Sequence, residues 1–218
     1  RYVLPKFKTI LTTDKKWYLP GQTVQFDLQT DYFFGKPVAG AEVRITASGM
    51  LDKPVTIYTG TGRTSSDGKY RGLFRLGDIF AGVPAMGGNA MIELKAEIID
   101  SAGQTVTNNT LIPVSSNAIN IVALPENGKL VSNLTNRIYL LAAYPDGTPA
   151  ECTIVANGKT LRTDRSGLAI FEVNGPSPAK KRNYYDTPEV IPDLALKISA
   201  RDSSGNAGTL DTKLSVNT

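Results

Sequence analysis

Apolar residues recur at every second position in many short segments: Val24, Phe26 and Leu28; Ile92, Leu94, Ala96 and Ile98; Ile138, Leu140 and Ala142; Leu194, Leu196, Ile198 and Ala200. Side chains on a strand point alternately to its two faces, so each run buries one face and leaves the other to water. No stretch of comparable length carries a 3.6-residue period. Between the runs stand turn-forming pairs: Pro20-Gly21, Asp67-Gly68, Gly87-Gly88, Asn127-Gly128, Asp146-Gly147 and Asn157-Gly158. Short alternating strands punctuated this often predict an all-β sandwich or barrel.

The pattern also repeats. Leu94-Lys95 followed by Asp100-Ser101-Ala102-Gly103 returns as Leu196-Lys197 followed by Asp202-Ser203-Ser204-Gly205, 102 positions on. Gly35-Lys36-Pro37, with Val43-Arg44-Ile45 behind it, returns as Gly147-Thr148-Pro149 with Thr153-Ile154-Val155. Ser66-Asp67-Gly68 matches Arg165-Ser166-Gly167. Three landmarks in one order point to a tandem duplication, with the boundary near Ser115-Ser116. Each half, 1–116 and 117–218, has the length of a seven-stranded immunoglobulin-like or fibronectin-III-like antiparallel sandwich. Strands are expected near 2–11, 23–33, 42–47, 54–60, 69–76, 90–100 and 104–114, then near 118–123, 134–143, 151–156, 159–164, 168–173, 194–201 and 208–216. A join of at most about three residues would limit relative motion of the halves.

Composition narrows the chemistry. The chain has 218 residues, of which 41% are hydrophobic and 20% charged, as in an ordinary globular protein. Histidine is absent and Cys152 is the single cysteine. Ser-His-Asp and Cys-His pairs, His-containing metal sites and an intrachain disulfide are thereby excluded. The net charge of +4 comes from 24 basic and 20 acidic residues mixed along the chain. That is not the basic stripe of a nucleic-acid binder, and no apolar run is long enough for a membrane-spanning helix. Arg1-Tyr2-Val3-Leu4-Pro5 carries neither an initiator Met nor a signal-peptide pattern, so the chain reads as an internal piece of a longer one.

Tyr2-Val3-Leu4-Pro5-Lys6-Phe7, Tyr18-Leu19-Pro20-Gly21-Gln22-Thr23-Val24 and Tyr32-Phe33-Phe34-Gly35-Lys36-Pro37-Val38-Ala39-Gly40-Ala41 resemble the third macroglobulin domain of the alpha-2-macroglobulin family. Pro125-Glu126-Asn127-Gly128, Asn136-Arg137-Ile138-Tyr139, Tyr144-Pro145-Asp146-Gly147-Thr148-Pro149-Ala150 and Thr163-Asp164-Arg165-Ser166-Gly167 resemble the fourth. The resemblance implies a piece of a large secreted or envelope-anchored protein, periplasmic or on the cell surface. In such proteins consecutive macroglobulin domains form a ring-like scaffold, a bait segment in a later domain is cut by a protease, and a Cys–Gln thioester elsewhere acylates the target. Cys152 lacks the thioester's flanking pattern, so the chemistry would lie outside this chain. Vertebrate members commonly carry disulfides here, which leans the resemblance toward a bacterial member. The implied partners are neighbouring macroglobulin domains of the same chain and, for the full-length protein, target proteases; neither nucleic acid nor membrane insertion is implied. Two rivals share the periodicity: a tandem immunoglobulin-like stalk of a bacterial surface adhesin, and accessory domains of a secreted enzyme.

No catalytic, cofactor or metal residues are expected. Cys152 reads as a small buried hydrophobe within an alternating strand. Asp67-Gly68 and Asp202-Ser203-Ser204-Gly205-Asn206 could offer calcium oxygens, yet Asp, Gly and Asn are also what tight turns require. Asn108-Asn109-Thr110 and Asn133-Leu134-Thr135 match the glycosylation sequon. The segment Asn174 to Asp193 carries four prolines, Tyr184-Tyr185 and the triplet Lys180, Lys181, Arg182, and reads as an exposed insertion that serves as a contact or a cleavage loop. The apolar stretch Leu76 to Gly88 is expected to cover the open end of its own sandwich.

Overall fold

A computed structural model of the chain describes residues 6–49, 54–80, 89–177 and 191–217. The chain divides into two compact units, Arg1–Ser116 and Asn117–Thr218. In the first, β1 (Phe7–Thr13), β2 (Thr23–Tyr32), β3 (Glu42–Gly49), β4 (Val55–Arg63), β5 (Lys69–Arg75), β6 (Ala90–Ile99) and β7 (Thr105–Val114) follow in order. They form two antiparallel sheets, β1-β2-β5 and β4-β3-β6-β7.

The second unit contains β8 (Asn120–Pro125), β9 (Leu130–Val131), β10 (Thr135–Ala143), β11 (Thr153–Ala156), β12 (Lys159–Arg162), β13 (Leu168–Asn174), β14 (Leu194–Arg201), β15 (Ala207–Leu214) and β16 (Val216–Asn217). Its sheets β8-β10-β13 and β12-β11-β14-β15 repeat the strand order of the first unit. Each unit is therefore an immunoglobulin-like sandwich with three strands facing four. The two-residue strands β9 and β16 pair in parallel, which periodicity did not anticipate. In the first unit the same place holds a lone parallel bridge between Tyr18 and Val114.

The alternating runs supply the cores. Val24, Phe26 and Leu28 of β2 meet Val43, Ile45 and Ala47 of β3 and Ile92, Leu94, Ala96 and Ile98 of β6 in the first. Ile138, Leu140 and Ala142 meet Cys152, Ile154, Leu196, Ile198 and Ala200 in the second. Each fully buried Leu or Ile stabilises its unit by about 1.5–3 kcal/mol relative to an exposed one. Leu76 and Phe80 join the first core while Ile79 stands out in solvent, so the start of the Leu76 to Gly88 stretch covers the sandwich only in part. The rest, 81–88, lies outside the described residues. The expected end of β4 at residue 60 is too early: Gly60 and Gly62 lie inside the strand. A Cβ at Gly62 would sit 2.3 Å from the Tyr70 ring, so this glycine makes room for an aromatic ring and is not a break.

Where the chain changes sheet, backbone groups leave the ladders and need other partners. In the first unit the Thr64 hydroxyl donates to Val38 O at 2.6 Å and accepts from Ala41 N–H at 2.9 Å, tying the β4–β5 crossing to the β2–β3 crossing. In the second, the Thr163 hydroxyl donates to Ala150 O at 2.8 Å and accepts from Cys152 N–H at 2.7 Å. Behind each threonine a tight turn presses a glycine on the strand beside it. Gly68 accepts from Thr30 N–H, and Gly167 from Ala142 N–H.

Gly167 has φ +75° and an added Cβ would lie 2.2 Å from Ala142 O; Gly147 has φ +84° with nothing within 4 Å. Both resist side chains through the left-handed backbone, but only Gly167 is also sterically closed. Urea denaturation is expected to show Gly147→Ala lowering the stability of the second unit by about 1–2 kcal/mol and Gly167→Ala by about 3 kcal/mol or more. Equal losses would mean the close approach at Gly167 does not exist.

Candidate functional site

Lys180, Lys181 and Arg182 lie outside the described residues, as does 178–190. The stems of that segment are described. Gly175 N–H donates to Leu134 O, the Ser132 hydroxyl donates to Pro176 O at 2.8 Å, and the Ser177 hydroxyl donates to Asn133 Oδ1 at 2.8 Å. Of the two sequon asparagines, Asn108 donates through Nδ2 to Thr9 O at 2.7 Å, which commits its amide to closing β7 on β1.

Cys152 is buried in the second core. Burial pushes its thiol up, outweighing a hydrogen bond from the Thr163 hydroxyl that pulls the other way. A thiol held protonated inside a core is a poor nucleophile. Outside it, a shallow concavity of about 800 Å³ is lined by Glu151, Thr153, Arg162, Ser199, Arg201 and Asp202 among others. Arg162 and Arg201 flank Thr153 from the neighbouring strands β12 and β14. The lining mixes acidic and basic side chains. Among the described residues, no group of three or more Cys, Asp or Glu converges as metal ligands.

The turn aspartates act on backbone. Asp100 Oδ1 accepts from Ala102 and Gln104 N–H, and Asp202 Oδ1 accepts from Ser204 and Asn206 N–H, so the repeated Asp-Ser-x-Gly motif is the same β6–β7 and β14–β15 turn. Each carboxylate then faces a tyrosine from the β2–β3 or β10–β11 crossing. Tyr144 OH donates to Asp202 Oδ2 at 2.8 Å, while Tyr32 OH stands 3.5 Å from Asp100 Oδ2. Burial works against the charged form of Asp202, but hydrogen bonds from Asn206, Tyr144 and two backbone N–H groups outweigh it and hold the carboxyl below its ordinary value. The hydrogen bond to Asp202 and burial push the Tyr144 phenol up to about 12.

One surface was missed in the sequence. The outward positions of β8, β10 and β13 carry Val122, Leu124, Tyr139, Leu141, Leu168 and Ile170, and four of these aliphatic side chains are 40–49% exposed. The signal was present. Ile121-Val122-Ala123-Leu124, Ile138 to Ala143 and Leu168 to Phe171 are continuous apolar runs rather than alternating ones, the mark of strands covered on both faces.

Residues 1–72 match the family model for the macroglobulin domain MG3, so over those residues the resemblance to macroglobulin domains holds. No curated protein sequence matches the chain. Among solved structures, native Escherichia coli alpha-2-macroglobulin aligns at 9% identity and a TM-score of 0.48, over 98% of this chain and 16% of that one. The trypsin-activated E. coli protein aligns at 10% and 0.47, over 100% and 17%. Salmonella alpha-2-macroglobulin reacted with methylamine aligns at 12% and 0.46, over 99% and 17%. The chain spans about one sixth of the length of each.

The unequal tyrosine bonds have a measurable consequence. Tyr144→Phe is expected to destabilise its unit by about 1.5 kcal/mol, the scale of a hydrogen bond to a charged acceptor, whereas Tyr32→Phe, at 3.5 Å, should cost under about 0.5 kcal/mol. A depressed carboxylate stabilises above its unfolded value and loses that contribution as pH falls through its folded value. The Asp202 contribution should therefore disappear below pH 3.8, and Tyr144→Phe should flatten that loss in urea midpoints taken from pH 5 to pH 2. An acid limb of unchanged slope in the variant would show that Tyr144 does not support the Asp202 charge.

Proposed function

We propose that the two sandwiches are structural modules of an alpha-2-macroglobulin-like, broad-spectrum protease inhibitor of the cell envelope or extracellular space, with the third- and fourth-domain positions in its scaffold. The observation that carries this reading is the MG3 match over residues 1–72. The described chemistry is consistent with it: the turn aspartates are spent on backbone and Cys152 is shut into a core. In this role the chain supplies architecture and surfaces for neighbouring macroglobulin domains. The bait, the reactive group and the protease-binding event belong to other parts of the polypeptide. From its sequence, the Lys180-Lys181-Arg182 segment is a contact or incidental cleavage loop and not the bait.

The test compares the full-length polypeptide with this chain. The full-length protein is expected to lower trypsin's hydrolysis of a large protein substrate, while the 218-residue chain at equal concentration leaves the rate unchanged and turns over no substrate in a hydrolase panel. Inhibition or turnover by the 218-residue chain alone would refute the reading, and so would a full-length protein with no effect on trypsin.

A further inference from the structure

The four-stranded sheets of the two units share equivalent positions, and one row across them differs in charge. Arg63 and Arg162 each stand just before the buried threonine, and Ile99 and Arg201 each just before the turn aspartate. Between them lies Glu42 in the first unit and Thr153 in the second. The register is the same: Glu42 is opposite Arg63 and Ile99, and Thr153 is opposite Arg162 and Arg201. In the first unit the central carboxylate pairs with Arg44 at 2.9 Å. In the second a threonine replaces that carboxylate, a second arginine replaces the isoleucine, and Val155 stands where the first unit has Arg44.

The second row therefore carries two positive charges and no acid. Among the described residues neither Arg162 nor Arg201 has an ion pair or a hydrogen-bond partner. Both line the concavity of about 800 Å³ with Thr153 between them, and Ser199 and Thr209 stand in the next row. Positions separated by one strand lie about 10 Å apart, so two arginine side chains can close on one group above Thr153. Two carboxylates share the lining. Asp202 is already taken: Oδ1 accepts from Ser204 and Asn206 N–H, and Oδ2 accepts from Tyr144 OH and Asn206 Nδ2, both at 2.8 Å. Glu151 stands two residues before Thr153, outside the row, and pairs with neither arginine.

We propose that Arg162, Thr153 and Arg201 form a binding site for a tetrahedral oxyanion, a phosphate or sulfate group. A guanidinium presents parallel N–H donors in a rigid fork, so one arginine from each side brings about four donors and the Thr153 hydroxyl beneath adds another. A carboxylate has two oxygens in one plane and a single charge. A tetrahedral group has an oxygen for each direction of approach and, as a dianion, balances both arginines. The concavity has the size of a small-molecule site and exceeds the anion alone, which leaves room for the unit that carries the group. The first unit supports the same reading independently. There the chain supplies its own anion, Glu42, at the position where the second unit presents a hydroxyl between two unpaired cations.

Proton–nitrogen NMR titration of the 218-residue chain reads the site through the Thr153 N–H and the Nε–H groups of Arg162 and Arg201. At about pH 7.5, where phosphate is largely dianionic, and at constant ionic strength, sodium phosphate replacing sodium chloride should move these signals saturably. The expected dissociation constant is about 1–10 mM, and sodium acetate should bind at least about tenfold more weakly. Glucose 6-phosphate binding more tightly than inorganic phosphate supports a site for the group and its carrier; equal affinities support a site for the anion alone. Arg201→Met should weaken phosphate binding at least about tenfold, and Thr153→Glu, which installs the first unit's own anion, should abolish it. Arg63→Met should leave it unchanged. Native dispersion of the remaining amide signals in each variant separates lost binding from lost folding. The absence of a saturable shift, acetate binding as tightly as phosphate, or undiminished phosphate affinity in Arg201→Met and Thr153→Glu would each overturn the proposal.

Discussion

Each unit depends on how it satisfies the backbone where the chain crosses from one sheet to the other. Two crossings run side by side at one end of each sandwich, and their carbonyl and amide groups are buried beyond the reach of a ladder. One threonine hydroxyl, Thr64 or Thr163, accepts from one crossing strand and donates to it again, while its own backbone N–H and C=O or its flanking residues complete the same lattice. A hydroxyl can do both jobs within the volume of a valine; an apolar side chain leaves two buried groups unpaired. The same crossings carry the tight turns at Gly68 and Gly167 and lead from Tyr32 and Tyr144, whose hydroxyls face the turn aspartates.

Duplication then separates what the fold requires from what function uses. Positions held in common, the threonine, the glycine and the Asp-anchored turn, stabilise the sandwich. Positions that differ report on surroundings. The outer face of β1, β2 and β5 is largely polar and charged and its equivalent in β8, β10 and β13 is largely aliphatic, although the two sheets share one strand order. The concavity near Asp202 lies on the four-stranded sheet, lined by residues of β11, β12, β14 and β15.

Much of the fold was legible because burial writes itself into strands with period two. Val24, Phe26 and Leu28, or Ile138, Leu140 and Ala142, could bury one face in no other regular structure. The repeat landmarks also mark equivalent atoms: Pro37 and Pro149 bridge to Asp31 and Ala143, and Asp100 and Asp202 bind their turns alike. Other features depend on partners distant in sequence. The β9–β16 pair joins residues 130–131 to 216–217, Gly62 is explained only by the ring of Tyr70, and a threonine just ahead of a turn, as in Thr64-Ser65 and Thr163-Asp164, looks like one more turn residue. The apolar outer face was written in the sequence as unbroken runs, but alternation within those runs drew attention to the inner positions alone.

The buried threonine hydroxyl locks the two crossings in each unit. Urea denaturation of Thr163→Val and Thr163→Ser, with Thr64→Val as the first unit's equivalent, puts that lock to the test. Valine keeps the shape and removes the hydroxyl, so it should destabilise the second unit by about 2–4 kcal/mol, from two buried groups left without partners. Serine restores the hydroxyl and should recover most of that loss, and Thr64→Val should destabilise the first unit by a similar amount. If Thr163→Val unfolds within about 0.5 kcal/mol of the parent chain, the crossings are held by backbone and packing alone, and the shared hydroxyl is not what the two sandwiches depend on.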